Sequence, residues 1–185
     1  NPPATHIFSH LNLKKMETPQ KKSPLHIAVQ QVTNNTTAWI GHRKSDNKDI
    51  VAGQTFTCPS EGDLGAIEIF SSLVLNPGHL KMTMHTFDAA TKIWGPVLST
   101  SAIDIQKKDS EKWISFPQAG LHLTKGNTYG FRLQSSDSCV GIGEAAGSHL
   151  QPQFTGGQEW IGHAENQPGK YYSYLSLAFK VELRA

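Results

Sequence analysis

The sequence predicts an all-β fold, a single-domain antiparallel jelly-roll-type β-sandwich of about nine strands. Three observations carry this reading. Apolar residues recur at every second position far more often than at helical spacing. Turn-forming residues punctuate the chain, with 16 Gly and 10 Pro among 185 residues. No stretch has the sustained 3.6-residue period of a long amphipathic helix.

In chain order, residues 1–24 read as an N-terminal arm or linker, with one strand over residues 6–13. They hold Pro2, Pro3, Pro19 and Pro24 together with Lys14, Lys15, Lys21 and Lys22, the composition of a solvated tether. The sandwich domain is expected over residues 25–185, opening with a strand at 25–32. Trp39-Ile40 begins the next half-buried segment. Further period-two runs follow: Ile67 and Ile69 around Glu68, Leu80, Met82 and Met84 around Lys81 and Thr83, and Tyr129, Phe131 and Leu133 around Gly130 and Arg132. The last is the clearest, with Leu175, Leu177, Phe179, Val181 and Leu183 sharing one face. Between these runs, Asn76-Pro77-Gly78, Asp88-Ala89-Ala90, Lys125-Gly126-Asn127 and Thr155-Gly156-Gly157 reverse the chain.

Composition narrows the function. With 17 Lys and Arg against 15 Asp and Glu the formal charge is +2, too little for the field that nucleic acid or an anionic membrane requires. No apolar run is long enough to span a bilayer, and the first residues lack the apolar core of a secretory signal. The chain starts at Asn1 without a Met, so removal of an upstream segment is expected. Cys58 and Cys139 lack the spacing of a zinc or thioredoxin motif. Either they form one disulfide, closing a loop of about 80 residues worth roughly 4 kcal/mol, or they stay as thiols.

The string Trp-Ile-Gly-His occurs twice, at residues 39–42 and 160–163. The flanks share nothing, so duplication is not indicated. An aromatic followed by a β-branched residue suits any half-buried strand.

Three longer segments carry a family resemblance: residues 52–70 with Gln54-Thr55-Phe56 and Ile67-Glu68-Ile69, residues 82–101 with Gly95-Pro96-Val97-Leu98, and residues 113–133 with Leu123-Thr124-Lys125-Gly126-Asn127-Thr128-Tyr129. In this order they resemble the jelly-roll β-sandwich modules attached to secreted bacterial proteins, among which are carbohydrate-binding modules. The resemblance covers roughly residues 50–183 and implies the fold through core and turn features. It implies an extracytoplasmic location, secreted, periplasmic or at the cell surface. Ser176 departs from the pattern, standing where an Asp often precedes the final strand, so a calcium site there is not expected. Asp46-Asn47-Lys48-Asp49 is a weaker oxygen-rich candidate without the spacing of an EF-hand, and a polar turn is the better reading. No cofactor is expected, and whether a metal is held is left open.

Catalytic signatures are missing. None of the nine histidines forms an H-x-H pair, and neither H-E-x-x-H nor a G-x-S-x-G elbow occurs. No catalytic residues are assigned, and the protein is not expected to be an enzyme. Sugar recognition needs exposed aromatic faces and planar polar groups. Trp160, Tyr171, Tyr172, Trp94, Trp39 and His163 are the candidate ligand-binding residues, with Trp160 and the Tyr171-Tyr172 pair flanking a polar loop as the preferred site. Trp113 is expected in the core. The function expected is that of a noncatalytic module binding a glycan or cell-surface polymer. The alternative is a structural or adhesive sandwich that contacts other protein domains and binds no small ligand.

Overall fold

The structure, a computed structural model, describes residues 19, 21–163 and 168–185. The expected strand at residues 6–13 lies outside them. The architecture is all-β and antiparallel throughout, as the alternation requires. The strands are β1 (Leu25–Gln31), β2 (Thr36–Arg43), β3 (Lys48–Thr57), β4 (Gly62–Asn76), β5 (Gly78–Asp88), β6 (Ile93–Ile105), β7 (Lys112–Pro117), β8 (His122–Leu123), β9 (Thr128–Gln134), β10 (Cys139–Ala146), β11 (Glu159–His163), β12 (Lys170–Tyr172), β13 (Leu175–Leu177) and β14 (Phe179–Arg184). The one helical piece among the described residues is a 3-10 turn at Lys107–Asp109.

Nine strands form a continuous ladder in the order β1-β14-β4-β10-β2-β3-β9-β5-β6, and β7, β8, β11, β12 and β13 pair to its sides, making fourteen. The excess over nine has a physical origin that the final run illustrates. Residues 175–183 alternate as one strand but are split at Ala178, whose N–H donates to the Gly143 carbonyl at 2.8 Å while its own carbonyl accepts from the Phe70 N–H at 3.2 Å. Before this corner β13 pairs with β10, and after it β14 pairs with β4 and β1. One alternating run therefore serves two parts of a curled sheet, as happens at the corners of sandwiches.

The core lies between the inward faces. Phe179 meets Phe56 at 6.1 Å, Phe131 at 5.7 Å and Phe154 at 5.4 Å between ring centres. Ile67, Ile69, Leu80, Met82 and Met84 are also fully buried, each contributing on the order of 1.5–3 kcal/mol by leaving water. Trp113, expected in the core, is instead half-buried outside it, where its ring packs edge-on against Phe70 at 5.4 Å beneath the Lys180 ammonium.

The turns follow their sequence chemistry. Asp88 Oδ1 accepts from the backbone N–H of Ala90 and Thr91, at 2.9 and 3.1 Å. In residues 46–49, Asp46 is bonded to Arg43, and Asp49 to the His42 imidazole at 2.7 Å. Cys58 and Cys139 are free thiols, and burial pushes both up in pKa.

Candidate functional site: an aromatic–arginine notch beside an open cleft

On β3 and β9, residues 52, 54 and 56 and residues 129, 131 and 133 face the core, which turns Gly53, Gly130 and Arg132 to the outer face. Two indoles lie against this face. Trp94 is the second residue of β6, which starts just after Lys92, whose φ of 56° ends the hairpin turn, and its ring covers Gly130 so closely that a Cβ there would come within 2.4 Å. Trp160, opposite Gly53 in the β11–β3 ladder, covers its own neighbour Gly162 at the same distance. Isolated glycines inside strands are here the seats of tryptophans.

The Arg132 guanidinium carbon sits in the angle between these indoles, 4.3 Å from each ring centre. The rings themselves are 5.7 Å apart and inclined at 62°. Around them, Trp94 meets His85 at 5.5 Å and Phe87 at 5.3 Å, and Phe87 meets Tyr171 at 5.7 Å. The Tyr171 hydroxyl donates to the Lys92 carbonyl at 3.0 Å, while the Lys92 ammonium lies 5.3 Å from the Tyr171 ring centre. His85 Nδ1 donates to the Gly95 carbonyl at 2.9 Å, and its Nε2 accepts from the Thr83 hydroxyl at 2.8 Å. A carbonyl cannot donate, so Nδ1 carries a hydrogen. Burial pushes its pKa down, with Gly95 opposing and Arg132 reinforcing the shift.

Of the six candidate residues, the structure brings Trp160, Trp94 and Tyr171 into this one cluster. Trp160 is only 5% exposed, so it offers no free face for stacking, and Trp94 and Tyr171 are half-buried. Tyr172 points to the opposite face of β12 and packs edge-on with Tyr174, which meets His149 at 4.9 Å. His163 is half-buried on the face of β11 opposite Trp160, its Nδ1 buried without a partner among the described residues. Trp39 is 45% exposed on β2, lying against Gly141 of β10. The two Trp-Ile-Gly-His strands flank β3 at Ile50, which pairs with Gly41 and His163, yet their tryptophans take different surroundings.

Phe87 also lines an open cleft of about 500 Å³, between the β5–β6 hairpin tip and the loop before β11. Phe87 and Lys92 form one wall, and His149, Phe154 and Ser173 lie among the residues opposite. Thr55, Thr57 and Thr128 are also in the lining, and no Asp or Glu among the described residues is. The cleft thus combines aromatic edges, hydroxyls, an imidazole and an ammonium.

Arg132, Phe87 and His85 were not singled out by sequence. Their signal was present in the interior glycines Gly53 and Gly130, which mark a close approach without saying by what. On the inner face, behind Trp160, Glu159 is fully buried with neither carboxyl oxygen bonded among the described residues. Burial, and then the neighbouring Glu144, push its pKa up to about 10. No group of three or more His, Cys, Asp or Glu side chains among the described residues is arranged to hold a metal ion.

No protein-family model matches the chain, and no curated protein does. Among solved structures, the fold is similar to the cysteine protease and lectin-like domains of Cwp84, a surface layer associated protein of Clostridium difficile. That match has 11% identity and a TM-score of 0.50, covering 74% of this chain and 32% of that one. A second is to clostridial cysteine protease Cwp84 after propeptide cleavage, at 11% identity and a TM-score of 0.53, over 91% of this chain and 42% of that one. The chain spans less than half of either, and at this identity the likeness concerns fold alone. No helix among the described residues is long and apolar enough to cross a membrane.

Proposed function

We propose that the protein is a noncatalytic, extracytoplasmic binding module whose ligand is a carbohydrate, held in the cleft between the β5–β6 hairpin tip and the loop before β11. The observation that carries this is the cleft's lining. Phe87 and Phe154 supply apolar surface for a sugar ring, while Thr57, Thr128 and Ser173 supply hydroxyls that both donate and accept; the Thr55 hydroxyl is buried and bonded to Gln158. The fold's likeness to a chain that includes a lectin-like domain of a surface layer associated protein agrees with this reading. The aromatic–arginine notch adjoins the cleft through Phe87, which is shared by both.

A second reading, an adhesive domain contacting other proteins, is favoured by one feature. Trp39, Leu73 and Leu75 are 45%, 46% and 52% exposed, and Trp39 and Leu73 both oppose Gly141 across β2-β10-β4. Exposed apolar surface of this kind marks contact sites. A glycan array probed with the intact chain, with and without calcium, separates the two. Specific glycan signal supports the carbohydrate reading, and silence in both conditions would overturn it.

A further inference from the structure

Among the described residues, Arg132 is a cation without a counter-ion. Its Nε is buried with no hydrogen-bond partner among the described residues, and the indole Nε1 of Trp94, against which it packs, is buried and unpartnered too. Arg132 takes part in none of the ion pairs among the described residues, and acids of nearby strands are engaged elsewhere. Asp49 holds His42 at 2.7 Å, while Asp104 and Asp137 hold His79 at 3.2 and 2.7 Å. Glu159 lies on the other face of β11 from Trp160.

The two inclined indoles meet the guanidinium from adjacent sides and attract it through their ring quadrupoles. They leave its in-plane N–H groups without acceptors. Half-burying a cation without satisfying its donors is costly. Holding the group in the angle of two rings restricts its motion, the preorganisation that planar, two-oxygen recognition uses. Lys92, on the cleft wall, adds a second positive charge, linked to the notch through the rings of Tyr171, Phe87 and Trp94.

We propose that the notch formed by Trp94, Arg132 and Trp160 is an anion subsite that receives the carboxylate of an acidic sugar, a uronide or sialoside, in a glycan whose neutral portion occupies the adjoining cleft. This rests on the carbohydrate reading above and narrows it to carboxylate-bearing glycans. The neutral part would contact the cleft hydroxyls, and the carboxylate would take the open edge of the guanidinium.

The test is calorimetric titration of the intact chain with uronide and sialoside oligosaccharides against their neutral counterparts, at two salt concentrations. Wild-type protein and the Arg132→Gln and Arg132→Lys variants are compared. An acidic member is expected to bind roughly tenfold or more tightly than its neutral counterpart, with the preference shrinking as salt rises. Arg132→Gln should abolish the preference for the acidic member over its neutral counterpart. Arg132→Lys should keep the salt dependence while losing most of the preference, since an ammonium lacks the fork. If Arg132→Gln does not fold, the salt dependence of wild type and the Lys variant decide. Equal affinity for acidic and neutral members, or a preference that survives in Arg132→Gln, would overturn the subsite and leave the carbohydrate reading standing. Binding of neither set, or of an acidic peptide alone, would overturn both.

Discussion

Glu159 is fully buried on the core side of β11, beside Glu144 and without a bonded oxygen among the described residues. An acid whose folded pKa stands at about 10, against an ordinary value of 4.5, binds its proton in the folded state but not in the unfolded one across that interval. Its stabilising contribution is whole below pH 4.5 and is lost as pH rises toward 10, at about 1.4 kcal/mol per pH unit. Glu159→Gln keeps the shape and removes the titration. Thermal melts should therefore show a flatter dependence between pH 5 and 9 in the variant and a higher Tm at pH 8, whereas parallel curves would show that Glu159 is ionised in the fold. A second residue-scale prediction concerns Gly130. The Cβ of Gly130→Ala would meet Trp94 at 2.4 Å, and displacing that indole should cost about 1–3 kcal/mol. It should also alter the near-ultraviolet dichroism of the tryptophans. An unchanged melt and spectrum would mean that the indole moves aside freely.

At the scale of elements, alternation located the strands but not their partners. The runs around Glu68, Lys81, Arg132 and Lys180 stand where expected, as β4, β5, β9 and β14. The corner at Ala178 was illegible, because residues 175–183 keep one unbroken period through it and only the partner strand changes. Trp113 was misplaced for a related reason, since a period-two pattern tells which residues share a face but not which face is covered. Ala178→Pro tests the corner. It removes the N–H that bonds Gly143 and should destabilise the fold by about 3 kcal/mol or more, detected as loss of cooperative unfolding. A variant that melts like the wild type would show that the corner bond is dispensable.

For the whole molecule, the aromatic supply of the candidate site could be read in sequence, but its assembly could not. Trp94, Trp160 and Tyr171 come from β6, β11 and β12, and they meet only because β11 pairs with β3 across more than a hundred residues of chain. Arg132, which completes the notch, looked like an ordinary outward-facing strand residue. Trp39 and His163 carry the same four-residue string as Trp160 and His42 yet contribute to other surfaces, since local sequence does not set tertiary partners. The outcome is a sandwich with two distinct outer patches, the cleft and notch over β3, β9, β5 and β6, and the exposed Trp39 and Leu73 on β2 and β4. The proposed ligand site is the first.

That assignment is tested most directly by titrating the glycan found on the array against Lys92→Ala, His149→Ala and Trp39→Ala, each checked for an unchanged melt. The two cleft variants should weaken binding by roughly threefold to tenfold, the worth of a lost hydrogen bond, while Trp39→Ala should bind as wild type. Loss of binding in Trp39→Ala with both cleft variants unaffected would contradict the assignment and place the ligand on the other patch.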